Sequence, residues 1–342
     1  MGVDISGLVT PEEIALESLN GKTIGIDAMN TLYQFLSIIR QRDGTPLMNS
    51  KGKVTSHLSG LFYRTTNLVG FGTRPIYVFD GEPPKLKKDT LQGRRKIRTA
   101  AREKWAKAKK EGKIAEARKY AMASSRLEPE MVEDSKKLLD CMGIPWVQAP
   151  SEGEAQLAKM AKDEKIWVAA SQDWDSLLFG TPRLLRNLTI SGKRKLPGRD
   201  EYIEVKPELI TLKTMLKQNS LTQEQLILIG LLVGNDFEPG VKGIGPKKAF
   251  DLAKQHPTLD ALMKSEIGPK IEEIGTMREV EQIFQNPKTT DDYELKWGQP
   301  DLEHLKRILC DENDFSEDRM MGTIKRLAQA SKSTQAKLEN FF

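Results

Sequence analysis

The chain has 342 residues, enough for one large domain or two ordinary ones, each with a core of its own. Hydrophobic residues make up 38% and charged residues 30%, and no apolar run approaches the roughly 20 residues that span a bilayer, so no membrane role is expected. The net charge of +5 is unevenly placed: residues 85–126 hold 16 Lys/Arg against 4 Asp/Glu, a balance of +12, while the rest holds 37 against 44, a balance of −7. A basic segment on an acidic body suggests a polyanionic partner. The two cysteines, Cys141 and Cys310, form no CxxC pair, and His57, His256 and His304 are scattered. This argues against a thiolate or imidazole metal site and against a disulfide framework, so any metal should be held by oxygen. The start of the chain lacks the basic-then-apolar layout of a secretory signal, which predicts an intracellular protein.

In chain order, Lys22 to Asp27 is a short β-branched run that predicts a strand, and Asn30 to Ile39 has helical spacing. Pro75 to Asp80 predicts a second strand, closed by Gly81 and Pro83-Pro84. Residues 85–126 are helix-prone but carry few large apolar side chains (Leu86, Leu91, Ile97, Trp105, Ile114, Tyr120 and Met122), with no continuous stripe for docking on a core. Composition alone favours a solvated pair of charged helices, and the charge excess points to a basic projection over a nucleic-acid site. An amphipathic helix follows from Glu128-Pro129-Glu130 through Leu138. A helix from Glu152 to Lys162 then precedes a third strand, Ile166 to Ser171. Strands separated by helices predict an α/β fold with a mostly parallel central sheet flanked by helices. From about Leu221 the chain reads as all helical: Leu226 to Val233 is apolar, Gly234-Asn235-Asp236 ends it, and Pro246 suits a helix start. Beyond Asp314 the composition turns polar, and Ser331 to Thr334 reads as a flexible tether.

All three strands end on acid: Asp27, Asp80, and the pair Asp173/Asp175. The pair is spaced i, i+2, so in extended chain both carboxylates leave on one side. Glu152 and Glu154 open a helix around Gly153, and Asp236 follows an apolar one. A lone strand-end Asp is usually a cap or turn residue. Seven acids at such positions favour a metal site, because clustered carboxylates ionise together only when cations compensate. An all-carboxylate shell fits Mg²⁺, or Mn²⁺ in its place.

Ile26-Asp27-Ala28, Val78-Phe79-Asp80-Gly81-Glu82-Pro83-Pro84, Glu152-Gly153-Glu154-Ala155-Gln156, Ser171-Gln172-Asp173-Trp174-Asp175-Ser176 and Gly243-Ile244-Gly245-Pro246-Lys247 resemble the flap endonuclease family, in order along the whole chain. The resemblance implies two Mg²⁺ ions held by Asp27, Asp80, Glu152, Glu154, Asp173, Asp175 and Asp236, with Glu154 and the first two aspartates nearest one ion and Asp173 and Asp175 nearest the other. Residues 85–126 match the family's basic helical arch, and Lys87 and Arg94 match the arch residues that approach the scissile phosphate. Tyr33 matches an aromatic that stacks on a junction nucleobase; by spacing it reads equally well as a core tyrosine. Arg40 and Arg64 are further candidate DNA contacts. Gly243, Gly245, Lys247 and Lys248 resemble a helix-turn-helix that grips duplex backbone, whose loop from Asp236 to Ile244 would also take a monovalent cation. Gln335, Leu338, Phe341 and Phe342 resemble a box for a sliding clamp of the proliferating-cell-nuclear-antigen type, converging on one face of a 3₁₀ turn. Trp174 stands where tyrosine is commoner.

The resemblance divides the chain into an N-terminal nuclease region (1–84), the arch (85–126), an internal nuclease region (127–220), a duplex-binding region (221–313) and a C-terminal segment with the clamp box (314–342). It implies a monomeric cutter of branched DNA with a 5′ flap, active also as a 5′ exonuclease. The chain ends without the basic tail of eukaryotic relatives, which points to the archaeal branch and a cytoplasmic, nucleoid-associated protein. A haloacid-dehalogenase-like phosphatase would need Asp-x-Asp after the first strand, where this chain has Asp27-Ala28-Met29. A non-catalytic, clamp-tethered binder of branched DNA would not need all seven carboxylates, and a four-way-junction resolvase of the same superfamily would not need a clamp box.

Overall fold

A computed structural model of the chain describes residues 2–190, 192–195, 202–271 and 274–339. The elements begin with β1 (Glu12–Glu13), β2 (Thr23–Asp27), α1 (Ala28–Ile38), α2 (Ser56–Gly70), β3 (Arg74–Phe79), α3 (Lys88–Lys110), α4 (Ile114–Ala123) and α5 (Pro129–Cys141). There follow β4 (Trp146–Gln148), α6 (Gly153–Lys162), β5 (Val168–Ala170), α7 (Asp175–Leu178), β6 (Arg183–Arg186), β7 (Gly192–Lys195), β8 (Tyr202–Val205) and β9 (Glu208–Thr211). The remainder is α8 (Leu212–Asn219), α9 (Gln223–Val233), α10 (Pro246–Gln255), α11 (Leu259–Met263), α12 (Ile274–Gln285), α13 (Leu302–Lys306) and α14 (Glu317–Glu339). No helix among the described residues is long and apolar enough to cross a membrane. The chain forms two compact units, one of residues 1–15, 80–91 and 148–291, the other of residues 16–79, 92–147 and 292–342.

In the first unit the strands lie in the order β1-β9-β6-β5. β5 and β6 are parallel, with Ala170 opposite Leu185, whereas β9 runs antiparallel to both β6 and β1. The strands here are therefore mixed: β5/β6 keep the expected parallel pattern, and β9 departs from it. β7 and β8 pair antiparallel in a separate two-stranded sheet. The core gathers around α9, buried from Gln225 to Leu232, as expected of a helix that is apolar all round. A Thr222/Gln225 capping box starts α9, and Gly234, at φ +99°, stops it. Phe179, Phe237 and Phe284 meet ring to ring against this helix, and Val3 and Ile5 of the N-terminal segment sink into the same core.

In the second unit the order is β2-β3-β4, with β2 and β3 parallel from Thr23/Arg74 to Asp27/Val78. Ile24, Ile26, Ile76 and Val78 are fully buried, and the buried Tyr77 hydroxyl is satisfied by Thr65 Oγ1 at 2.8 Å. Of the basic segment, α4 and all of α3 beyond Leu91 belong here. The missing stripe of large apolar residues is replaced by alanine: Ala101, Ala108, Ala117 and Ala121 are buried, and small side chains let helices pack closely. The segment is also held down, since Lys109 pairs with Asp43 at 2.8 Å and Trp105 Nε1 donates to the Asp43 carbonyl at 3.3 Å.

Two expectations fail in the C-terminal half. Residues 287–301 carry no helix or strand; they are pinned at intervals, with Gln156 bonding both backbone groups of Thr290 and Trp297 donating to the Pro75 carbonyl at 3.0 Å. The expected tether at Ser331–Thr334 lies inside α14, whose earlier turns bury Met320, Ile324 and Leu327 and so carry the helix onward.

Candidate active site

Asp80 directly follows β3, and its Oδ1 accepts the Gly153 N–H at 2.7 Å. That N–H belongs to the first turn of α6, where backbone donors are free and the helix dipole favours an anion. The same helix start delivers Glu152, its N-cap, and Glu154. Lys87 ends a 3₁₀ turn, Lys85–Lys87, and is buried. Its ammonium lies 2.5 Å from Glu152 Oε2 and 3.7 Å from Asp236 Oδ2, with the Phe237 ring 5.6 Å away. Asp236 is supplied by the turn after α9.

One cation thus serves three acids, of which Glu152 and Asp236 are buried and Asp80 partly so. Burial pushes the Asp80 and Glu152 carboxyls up, Lys87 only partly offsets this, and Asp236 adds to it. Burial alone would pull the Lys87 ammonium down, but Glu152, Asp80 and Asp236 outweigh it and hold the ammonium above its ordinary value.

The remaining first-unit acids form a second group. Glu154 Oε1 accepts from Ser171 Oγ at 2.9 Å and Ser176 Oγ at 3.2 Å. Asp175 Oδ1 accepts the Val3 N–H at 2.7 Å. A β-carbon on Gly2 would overlap the Asp173 carboxylate and touch Asp175 Oδ1 as well, so the two carboxylates sit side by side beneath the N-terminal segment. Burial, then the charge of Asp173, raises the Asp175 carboxyl to about 7. The pairing does not come from extended chain, as expected from the spacing: Trp174 is helical (φ −76°, ψ −14°) and Asp175 opens α7.

Among the described residues no three acids converge closely enough to grip an ion as they stand, and Lys87 occupies the space among Asp80, Glu152 and Asp236. The donor set nevertheless fits a hard divalent cation: all ligands are carboxylates, most are buried, and their charge exceeds that of the one lysine.

The second unit carries the other candidates. Asp27 ends β2 and caps α1, accepting the Asn30 N–H at 3.0 Å. Tyr33 is half-buried rather than a core residue, and Arg98 donates to its hydroxyl at 3.0 Å with the guanidinium 5.4 Å from the ring centre. Arg40 spends all three nitrogens internally, on Leu36 O, Gly44 O and Ser125 Oγ, and Arg64 is half-buried on α2. Arg94 is partly exposed on α3.

The expected turn between helices lies in the first unit. Pro246 takes the first position of α10, Gly245 is its N-cap, and Gly243 sits at φ +82°. Gly243, Gly245, Lys247 and Lys248 are all exposed, while Ile244 anchors the turn in the core. A β-carbon at Gly243 or Gly245 would meet nothing in the protein, so internal packing does not explain glycine at Gly245; open backbone before a helix start suits a phosphate. In the clamp box, the side chains of Gln335 and Leu338 and all of Phe341 and Phe342 lie outside the described residues. The backbone up to Glu339 is α-helical, not a 3₁₀ turn.

Sequence reasoning did not find Gly2, Val3, Ser171, Ser176 or Arg98 as site residues. Gly2 and Val3 meet acids about 170 positions away, which no local pattern announces. Ser171 and Ser176 flank the Asp173/Asp175 pair, and that adjacency was the available signal.

A buried carboxylate site on an α/β frame is the equipment of a nuclease of the XPG class, and the two sequence profiles that match this chain describe that class. The XPG N-terminal domain matches residues 4–101 and the XPG I-region residues 143–236. Flap endonuclease 1 of Pyrococcus abyssi is 55% identical over 344 residues, covering 100% of this chain and 98% of its own. The solved structure of flap endonuclease-1 from Methanococcus jannaschii matches 97% of this chain and 99% of its own, at TM-score 0.76 and 42% identity. The catalytic core of Rad2, solved with a DNA substrate, shares the fold at TM-score 0.69 and 22% identity. The chain belongs to the flap endonuclease family.

Proposed function

We infer that this protein is a structure-specific endonuclease that hydrolyses DNA phosphodiester bonds at 5′ flap junctions, with 5′ exonuclease activity alongside. Full-length identity to flap endonuclease 1 of archaeal relatives supports the reaction class, and one observation carries the chemistry: six of the seven expected acids lie in the first unit, three of them about the buried Lys87.

Asp80, Glu152, Glu154, Asp173, Asp175 and Asp236, with Asp27 as the seventh, would hold two Mg²⁺, for which Mn²⁺ can substitute. Bound there, such ions would supply Lewis-acid activation of a water and stabilisation of the charge that builds up in phosphodiester hydrolysis. The protein's part is placement. Gly153 N–H fixes Asp80, Ser171 and Ser176 fix one oxygen of Glu154, and Val3 N–H fixes Asp175, so each carboxylate is oriented before an ion arrives. Lys87 neutralises Glu152 and Asp236 in the free protein; with DNA bound, its ammonium and Arg94 offset charge on the phosphoryl oxygens. Gly243, Gly245, Lys247 and Lys248 grip duplex backbone without reading base edges, the loop from Asp236 to Ile244 would hold a monovalent cation, and Tyr33 stacks on a nucleobase once Arg98 yields it. Gln335, Leu338, Phe341 and Phe342 dock the enzyme on a sliding clamp.

The test is Asp80→Ala, assayed for cleavage and binding of flap DNA in Mg²⁺. Cleavage should be nearly abolished and binding kept, because the basic helices and the Gly243–Lys248 turn hold DNA separately. Activity within a few-fold of the parent at saturating Mg²⁺ would refute the metal assignment.

A further inference from the structure

The loop bearing Asp173 and Asp175 is anchored beneath by Val3, but between the two acids stands Trp174, and movement of that residue carries both carboxylates with it. Trp174 is partly buried and packs on the first-unit core. Over its ring, 4.0 Å from the centre, lies the guanidinium of Arg186, the last residue of β6. The sheet sets this position: Ser171 N–H donates to the Leu185 carbonyl at 3.2 Å, which fixes the end of β6 beside the start of the loop.

Arg186 is not explained by its ion pair. Its Nη1 is 3.4 Å from Glu208 Oε2, long for a charge-assisted hydrogen bond, and its Nε is buried without a hydrogen-bond partner. A buried, unsatisfied donor destabilises the fold. Arg183, at the other end of the same strand, makes a contrast: it stacks more loosely on Trp167, at 5.2 Å, and satisfies its Nε on the Trp167 carbonyl at 2.7 Å. What Arg186 gains is the close cation–π contact with Trp174.

We propose that Arg186 is a positioning residue, which by stacking on Trp174 holds Asp173 and Asp175 together and so sets the affinity for the divalent ion at that pair. The inference rests on the metal-site reading above. The indole of Trp174 offers the guanidinium a broad face to stack on.

The test compares R186Q, R186K, W174Y and W174L with D173N as reference. Mn²⁺ binding is followed by electron paramagnetic resonance on the full chain, Mg²⁺-dependent flap cleavage alongside, and melting temperature in EDTA for each. R186Q and W174L should weaken Mn²⁺ binding about tenfold, the scale for partners that orient metal ligands. They should raise the Mg²⁺ needed for half-maximal cleavage by a similar factor, with the rate at saturating Mg²⁺ near the parent's. W174Y should keep most of the affinity, and R186K, with a charge but no plane to stack, should fall between. Parent-like Mn²⁺ affinity in R186Q while D173N is weakened overturns the inference. So does an affinity loss that follows melting temperature across the variants rather than the stack. If D173N itself leaves Mn²⁺ binding unchanged, the metal-site reading fails and the inference falls with it.

Discussion

Asp175→Asn is the substitution whose effect on stability follows most directly from the site. The Asp175 carboxyl is raised from 3.8 to about 7 by burial and by Asp173. At about 1.36 kcal/mol per pKa unit, ionised Asp175 costs the metal-free fold about 4 kcal/mol. The folded pKa lies above the unfolded one, so the folded state holds the extra proton between these values. Stability is therefore full below about pH 4, falls as pH rises to about 7, and is flat beyond, with about 3 kcal/mol of the loss above pH 5. Asparagine is neutral and similar in shape, and its carbonyl oxygen can still accept the Val3 N–H. Urea denaturation in EDTA from about pH 5 to about pH 8 should show the parent losing about 3 kcal/mol more than the variant. Mg²⁺ should restore the parent at high pH and do little for the variant, whose cleavage should be severely slowed. Equal pH slopes for the two proteins in EDTA would refute the reasoning.

Lys87→Ala leaves Glu152 and Asp236 uncompensated, so it should destabilise the metal-free protein by about 3 kcal/mol and slow single-turnover cleavage about 100-fold at saturating enzyme. Arg94→Ala should also slow that step, whereas Lys107→Ala and Lys110→Ala, in exposed positions, should change only salt-dependent binding; equal small effects at all four reduce the basic helices to nonspecific attraction. Phe341→Ala with Phe342→Ala should abolish binding to the sliding clamp of the same cell and leave clamp-free cleavage intact, since each buried aromatic contributes roughly 1.5–3 kcal/mol. Clamp affinity equal to the parent's would show that the box is not the docking site.

The strand-end acids were legible in the sequence because a charged residue closing an apolar run breaks a strong local pattern, and α9 and Pro246 were legible for the same reason. The Gly-x-Gly-Pro turn needed only the rules for helix starts. What stayed hidden is non-local or weakly patterned. The strands β4, β6 and β9 have three or four residues, and in β6 two leucines flanked by arginines give no clear alternation. The buried face of the basic segment is built from alanine, which a search for large apolar residues passes over. The Lys87–Glu152 pair joins residues 65 positions apart, and Lys87 looks like any other basic residue until Glu152 is beside it. Asp173 and Asp175 were rightly paired for the wrong backbone reason, because α7 begins at Asp175 rather than after it. Polar composition after Ser331 was read as a tether, although serine, lysine and glutamine sit readily on the exposed face of a long helix.

The most direct test of the function is a product analysis with end-labelled 5′-flap, nicked, single-stranded and four-way DNA in Mg²⁺. A flap endonuclease should cut the flap substrate at its junction, nibble the nick from its 5′ end, and leave single strands and four-way junctions largely intact. Symmetric resolution of the four-way junction with the flap left uncut, or binding without cleavage of any substrate, would contradict the account.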